Sequence, residues 1–196
     1  MRKYRKLVCG VGINDADYKT SSRKEGKRDW LCPYYSVWKR MIDRCYNKEH
    51  QKTHPTYRDC SVCHEWLTFS NFKSWMEKQD WKDKHLDKDL LKVGNRVYSA
   101  DTCVFVDIKI NSFVLENGAR RGKYMLGVYW QKDRGKFQAS CRNPFTNKKV
   151  FLGRYDMELE AHLAWKRKKH EFACQLADSE YCNDPRLAEA LRTRYL

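Results

Sequence analysis

The stretch "YMLGVYWQKDRGKFQASCRNPFTNKKVFLGRYD", Tyr124–Asp156, decides the fold. It holds three runs in which apolar and polar residues alternate, Leu126 to Trp130, Lys136 to Arg142 and Lys148 to Arg154. Alternation of period two is the signature of a strand with one covered face, and "KDRG" and "NPFTN" supply turn chemistry between the runs. A three-stranded antiparallel meander is predicted. After it, Asp156 is placed as the cap of a helix with Glu158 and Glu160 in its first turn. Ala161, Ala164, Trp165, Phe172 and Leu176 recur on one face of that helix, while Lys166 to Lys169 lie on another. The Ala/Trp stripe is expected to pack on the sheet, and a last short helix is expected over about 185–194, after Pro185.

Charge points to what the sheet meets. The chain of 196 residues carries 40 Lys+Arg against 25 Asp+Glu, a formal net charge of +15. Between 120 and 154 there are ten Lys/Arg and one acid, Asp133. With one sheet face covered by the helix, the other must be strongly positive. Tyr129, Gln131, Gln138, Ser140 and Arg142, with the turn residues Arg134 and Lys136, form the outward set, and Arg120 and Arg121 precede it. A sheet of this size can enter the major groove, where Arg and Gln reach base edges. Duplex DNA is the expected partner. An anionic membrane is the rival polyanion, but no apolar run or basic amphipathic helix supports it.

Upstream, Tyr34, Val37, Trp38, Met41, Ile42 and Cys45 share a face at helical spacing after Pro33, which predicts a helix over about 34–46. "NKEHQKTHPTYRD" reads as a loop and "CSVCHEWLTF" as a short extended piece. Phe69, Phe72, Trp75 and Met76 mark a second helix opening near Thr68 or Ser70. Residues 1–30 read as a basic arm with a flexible middle at "KTSSRKEGKR". "ENGARRGK", 116–123, reads as a linker.

"HLDKDLLKVGNRVYSADTCVFVDIKIN", His85 to Asn111, carries the candidate chemistry. Asp87 and Asp89 share one side of an extended segment, and His85 has the phase of Asp87. Two carboxylates suit a divalent ion held against a phosphate. Asn95, after Gly94, can position the loop, and Asn111 follows the run "VFVDIK", which fits either a buried strand or a helix start. Paired Asp in a turn is more often plain surface.

Cysteines bear on a second metal. Cys60, Cys63 and His64 have zinc-like local spacing, which Cys45 or Cys103 would complete. With no second pair at finger spacing, ordinary buried thiols are the leading expectation. Nine scattered cysteines fit reduced thiols, and the N-terminal "MRKYRKLVCGVG" lacks a signal-peptide core, so a cytoplasmic location is expected.

Two resemblances sharpen these expectations. "GVYWQKDRGKFQASC", "FLGRYD" and "ELEAHLAWKRKKHE" resemble the plant ethylene-response (Apetala-type) DNA-binding domain over about 120–175. That resemblance implies major-groove reading from the sheet, carried over to Tyr129, Gln131, Arg134, Lys136, Gln138 and Arg142; several arginines of the family are Tyr or Gln here. "GVGINDADY", "YSVWKRMIDRCYN", "CHEWLTFSNFKSWM", "LDKDLLKVGN", "YSADTCVFV" and Asn111 resemble the bacteriophage HNH homing-type endonucleases, which join such a module to the plant-like domain. The resemblance implies an α+β protein: an HNH-like ββα-metal module over 31–115, a three-stranded sheet on one helix over 120–177, and a helical tail over 178–196. It also implies Mg²⁺- or Mn²⁺-dependent cleavage of duplex DNA in the cytoplasm of an infected host. Asp87 matches the metal-binding Asp, but Lys88 stands where the family has its general-base His. A lysine protonated at neutral pH is a poor base and ligand, so His85 or Asp89 must compensate, or the chain binds DNA without cutting. An interaction with a host protein is the remaining class, with no signature of its own.

Overall fold

The computed structural model describes residues 6–115 and 123–196, so Arg120 and Arg121, and most of the expected linker, lie outside the described residues. The chain divides into two compact units, residues 1–105 and 106–196. Both mix helix and strand, giving an α+β protein with four small sheets among the described residues. No helix among them is long and apolar enough to cross a membrane.

The first unit opens with structure where an arm was expected. Val8 bridges Gly12, and Ile13 bridges Thr68, so "GVGIN" is fastened to the body of the unit. β1 (Ser21–Lys24) and β2 (Lys27–Leu31) then form an antiparallel hairpin. Its turn residues Glu25 and Gly26 both have positive φ, 52° and 78°. That is the twist-matched geometry of a two-residue hairpin loop, reached here by Glu-Gly. The Ser/Lys/Gly composition suggested flexibility, and backbone pairing overrides it.

α1 (Pro33–Tyr46) begins at its proline and buries Trp38, Met41, Ile42 and Cys45. Pro33 needs no amide partner at a helix start, and the apolar spacing sets the buried face. α2 (Lys48–Thr53) stands where a loop was expected, because the Asn47 side chain accepts from the Glu49 and His50 amides and caps it. β3 (Ser61–Val62) and a 3₁₀ turn (His64–Leu67) precede α3 (Phe69–Met76). Trp38 is fully buried among Phe69, Met41 and their neighbours, and its indole N–H donates to the Trp66 carbonyl at 2.7 Å. β4 (His85–Asp87) pairs with β6 (Val104–Val106), and β5 (Val97–Tyr98) runs parallel to β3.

The unit boundary falls inside β6, ahead of the expected linker. α4 (Ile108–Val114), capped by Asp107, belongs with the C-terminal half: the Phe113 ring meets Tyr195 edge-on at 5.9 Å, and Lys169 donates to the Phe113 carbonyl at 2.5 Å. The run 104–108 is therefore a strand followed by a helix, and both readings of it hold in part.

β7 (Val128–Gln131), β8 (Lys136–Arg142) and β9 (Lys149–Tyr155) form the predicted antiparallel meander. α5 (Glu158–Ala177) lies on one face, where Ala139, Ala161 and Ala164 meet with Val128, Phe137, Leu152 and Tyr155 around them. The helix cap differs from expectation. Met157 occupies the cap position, Glu158 accepts the Met125 amide, and Asp156 pairs with Lys136 across the strand end. α6 (Pro185–Thr193), capped by Asp184, buries Leu187, Ala188 and Leu191.

Gly127 lets the sheet and helix approach. It has φ of 77°, and a Cβ there would lie 2.0 Å from ring atoms of Trp165. Neither the backbone angle nor the indole can accommodate a methyl. Gly127→Ala is expected to destabilise the second unit by about 2 kcal/mol or more, read as a lowered midpoint in thermal unfolding followed by tryptophan fluorescence.

Candidate functional site

Two groups of residues carry chemistry, one in each unit. The first is the loop after β4. Asp87 ends that strand, and its Oδ1 accepts the backbone N–H of Asp89 at 2.9 Å and of Leu90 at 2.7 Å. This turns the chain sharply, as a short carboxylate following its own backbone does. Burial, and after it the neighbouring Asp89 carboxylate, hold the Asp87 carboxyl above its ordinary range, against the two amides that favour its charged form.

Lys88 points inward. It is only 7% exposed, and its ammonium donates to Asp89 Oδ2 at 3.0 Å and to the Asn95 carbonyl at 3.2 Å, with the Tyr98 ring 5.8 Å away. Asn95 returns the contact: Nδ2 donates to the Lys88 carbonyl at 2.6 Å and to the Val97 carbonyl at 2.7 Å. The loop is thus closed by two reciprocal contacts between positions 88 and 95. Gly94, with φ of 78°, supplies the turn between them. Asp87, Lys88, Asp89 and Asn95 are brought together. His85 is exposed at the start of β4, and Asn111 lies on α4 in the other unit.

The thiols behave as core groups. Cys60 is buried and donates weakly to the Thr56 carbonyl, and burial pushes the Cys63 thiol up. Burial also pushes Cys45 and Cys103 up to about 12. Among the described residues no three His, Cys, Asp or Glu side chains converge on a point that would hold a metal ion.

The second group is the uncovered face of the meander. Register pairs Val128 with Ala139 and Gly153, and Trp130 with Phe137 and Tyr155, toward α5. The opposite phase places Tyr129 beside Gln138 and Arg154, Gln131 beside Lys136, Ser140 beside Phe151, and Arg142 beside Lys149. All the strand residues expected on this face are there. Arg134 sits exposed in the turn that joins β7 to β8. Gln138 and Ser140 are buried even so.

Lys149, Phe151 and Arg154 were missed. A bulge between Ala139 and Ser140 shifts the register, so Phe151 and Arg154 share a face across an odd spacing that strict alternation rejects. The side chains brace one another: Lys149 lies 4.5 Å over the Tyr129 ring, Arg154 5.0 Å over Phe151, and Arg154 Nε donates to Gln131 Oε1 at 2.6 Å. No acid lies in the outward phase of the three strands.

No family model matches the chain, and no curated protein or solved structure is significantly similar to it.

The Asp87 carboxyl makes a stability prediction. Its pKa is raised in the folded chain, so protonation favours folding: that contribution is complete below the unfolded value of about 3.9 and is lost as pH rises through the raised one. Asp87→Asn keeps an oxygen for the two amides without the charge. In chelator-treated protein it should be at least as stable as the parent, with the gap widening from about pH 4 toward neutrality. Asp87→Ala should fall below Asp87→Asn by about 1–3 kcal/mol at every pH. Urea unfolding across pH measures both.

Proposed function

We propose that this protein binds duplex DNA through the open face of β7–β9, and that the Asp87–Asn95 loop acts on the bound DNA as an HNH-type metal site. One observation supports the binding most directly. Lys136, Arg142, Lys149 and Arg154 share a face with Tyr129 and Phe151 on strands that carry no acid, with Asp156 pairing Lys136 at the strand end, while α5 covers the opposite face. Two interstrand spacings of about 4.8 Å make this backbone about 10 Å across, against a major groove about 12 Å wide. The cations, Arg142 among them, supply phosphate contacts and set the register on the duplex, and the half-buried Gln131 supplies a base-edge amide. The resemblance of this segment to the ethylene-response type domain favours the same face.

The binding reading is tested by fluorescence anisotropy with a labelled duplex at several salt concentrations. Three phosphate contacts correspond to a slope of log affinity on log salt of about −2.7. A combined Arg142→Ala, Lys149→Ala, Arg154→Ala variant should lose about that slope and bind more than tenfold weaker at low salt. Unchanged binding by this variant overturns the proposal.

Cleavage is favoured by a separate observation, the fastening of the loop. Asn95 bonds the carbonyl of the residue after Asp87, the positioning role expected of the loop Asn in the HNH resemblance. Asp87 and Asp89 repel each other, and a divalent cation relieves such a pair. Mg²⁺ commonly takes one or two carboxylates and completes its shell with water and substrate phosphate, so two protein ligands fit it. When bound, the ion supplies Lewis-acid stabilisation of the phosphate and its leaving oxygen.

Asp87 and Asp89 would hold the ion. The Lys88 ammonium is committed to Asp89 and the Asn95 carbonyl, so it serves the loop rather than a water molecule. His85, exposed on the same strand, is the imidazole left to accept a proton from water. In a supercoiled-plasmid assay with Mg²⁺, Asp87→Asn should abolish nicking while binding duplex like the parent, and His85→Ala should slow nicking at least about a hundredfold. Parent-like nicking by Asp87→Asn removes the loop from the chemistry and leaves a binding protein.

A further inference from the structure

The hairpin of β1 and β2 in the first unit has no part in the function proposed above. Its base is anchored: the Cys32 amide donates to the Thr20 carbonyl at 2.9 Å, and both residues are buried. Beyond that base the two strands pack chiefly on each other. Arg23, Lys24, Glu25, Lys27 and Trp30 are all exposed, so the ribbon stands with both faces open. A two-stranded hairpin without a covered face is marginal by itself. Residues 19–28 hold five Lys/Arg and one acid, Glu25.

The register distributes these charges over both faces. Lys24 pairs with Lys27, and Arg23 with Arg28 on the next rung. Like charges directly opposite each other weaken a strand pair, so the lysine rung costs stability in the free protein. Successive rungs face opposite sides, which puts Lys24 and Lys27 on one face and Arg23 on the other. Trp30 pairs with Ser22, which shares its face with Lys24, so the indole, 47% exposed, lies on the lysine side. Glu25 stands at the tip, in the turn with Gly26. The other nearby acid, Asp29, lies at the bulge on the base side of these rungs and accepts from Ser22 Oγ at 3.3 Å.

A flat anionic surface meets only one face of such a ribbon and repels the acid at its tip. A groove with a phosphate chain along each wall meets both faces, and leaves the tip to its floor. The major groove of B-form DNA admits a two-stranded ribbon, whereas the minor groove is only about 6 Å wide and the major groove of duplex RNA is deep and narrow. At the floor of the DNA major groove a Glu carboxylate reaches base edges, where cytosine offers an amino donor. We propose that the β1–β2 ribbon enters the major groove of duplex DNA tip first, with Arg23 toward one phosphate chain and Lys24 and Lys27 toward the other. The proposal rests on the DNA-binding reading for its partner, and adds a surface in the first unit to the β7–β9 face of the second.

The test measures anisotropy with three labelled probes: a DNA duplex, the same duplex with glucosylated 5-hydroxymethylcytosine, whose sugars fill the major groove and leave the phosphates in place, and the same sequence as duplex RNA. A combined Arg23→Ser, Lys24→Ser, Lys27→Ser variant should lose about 2.7 of the slope of log affinity on log salt and bind the plain duplex about tenfold weaker at low salt, with less than about a twofold change on the other two probes. Lys24→Ser alone, which relieves the lysine rung, should fold like the parent and lose about 0.9 of the slope. The difference in acrylamide quenching between the parent and Trp30→Phe should shrink when the plain duplex binds. Equal losses on all three probes identify a charged surface alone and overturn insertion into the groove. Parent-like binding by the combined variant, or an indole that stays equally accessible, overturns the ribbon. If the Arg142→Ala, Lys149→Ala, Arg154→Ala variant binds like the parent while the ribbon variant weakens, the β7–β9 reading fails and the ribbon stands; the reverse result removes the ribbon and leaves the sheet. A parent that binds no duplex overturns both.

Discussion

The close contact between α5 and the three-stranded sheet is the constraint on which the second unit depends. Ala139, Ala161 and Ala164 are nearly or fully buried at the meeting point, and Gly127 has no Cβ where Trp165 passes. Small residues bring the two backbones together, so the apolar phase of every strand is spent on one side. The opposite phase is the one that α5 does not cover. Polar and charged side chains must occupy it, and the pairing register of β7, β8 and β9 lines them up in rows. The basic face is a consequence of helix packing as much as of composition.

Placing like charges in rows costs energy, and the structure shows how the cost is moderated. Lys149 lies over Tyr129 and Arg154 over Phe151, so two cations rest on ring faces, and Arg154 also donates to Gln131. Such contacts hold the side chains in place without neutralising them. A carboxylate in the same position would give equal local relief but would cancel the field. Lys136, which does have a carboxylate partner in Asp156, sits at the strand end rather than in the middle of the rows. Preserved positive potential with pre-oriented side chains is the property an interface for a polyanion requires.

Much of this was legible in the sequence because the determinants are local. The meander follows from alternation and from turn chemistry at Gly135 and Asn147, both with φ of 59°. α1 follows from Pro33 and one apolar stripe. What was not legible depends on partners distant in sequence or on a break in a pattern. The hairpin of β1 and β2 is concealed by a charged composition, and its Glu-Gly turn is a weak signal beside Asn-Gly. The bulge opposite Phe151 changes the phase of β9, which hid Phe151 and Arg154. The inward direction of Lys88 did have a signal: Leu86, Lys88 and Leu90 alternate with Asp87 and Asp89, and all three are buried. An ionised residue in the phase of two leucines gives no sign of burial by itself, because burying an ammonium is costly without partners. Its partners, Asp89 and the Asn95 carbonyl, are found only once the loop is closed.

That closure bears on how the Asp87 loop can act. In the HNH resemblance, position 88 holds an imidazole that accepts a proton, which requires it to face water and a phosphate. Here the side chain faces the interior, and its ammonium joins the two ends of the loop. Removing it would leave a carboxylate and a carbonyl without their donor, a loss larger than an exposed contact would incur. The residue is therefore held in place by folding, independent of any chemistry. Asp87, the carboxylate of the proposed site, is oriented by amides of the same loop, and the lysine keeps that loop closed without offering a base. Any proton acceptor must then come from outside the loop. If the chain cuts DNA as proposed, the rate would be sensitive to an exposed residue such as His85, while affinity would rest on a sheet with its own core. On the proposed reading, binding and cutting would draw on separate sets of residues, and either could change without loss of the other.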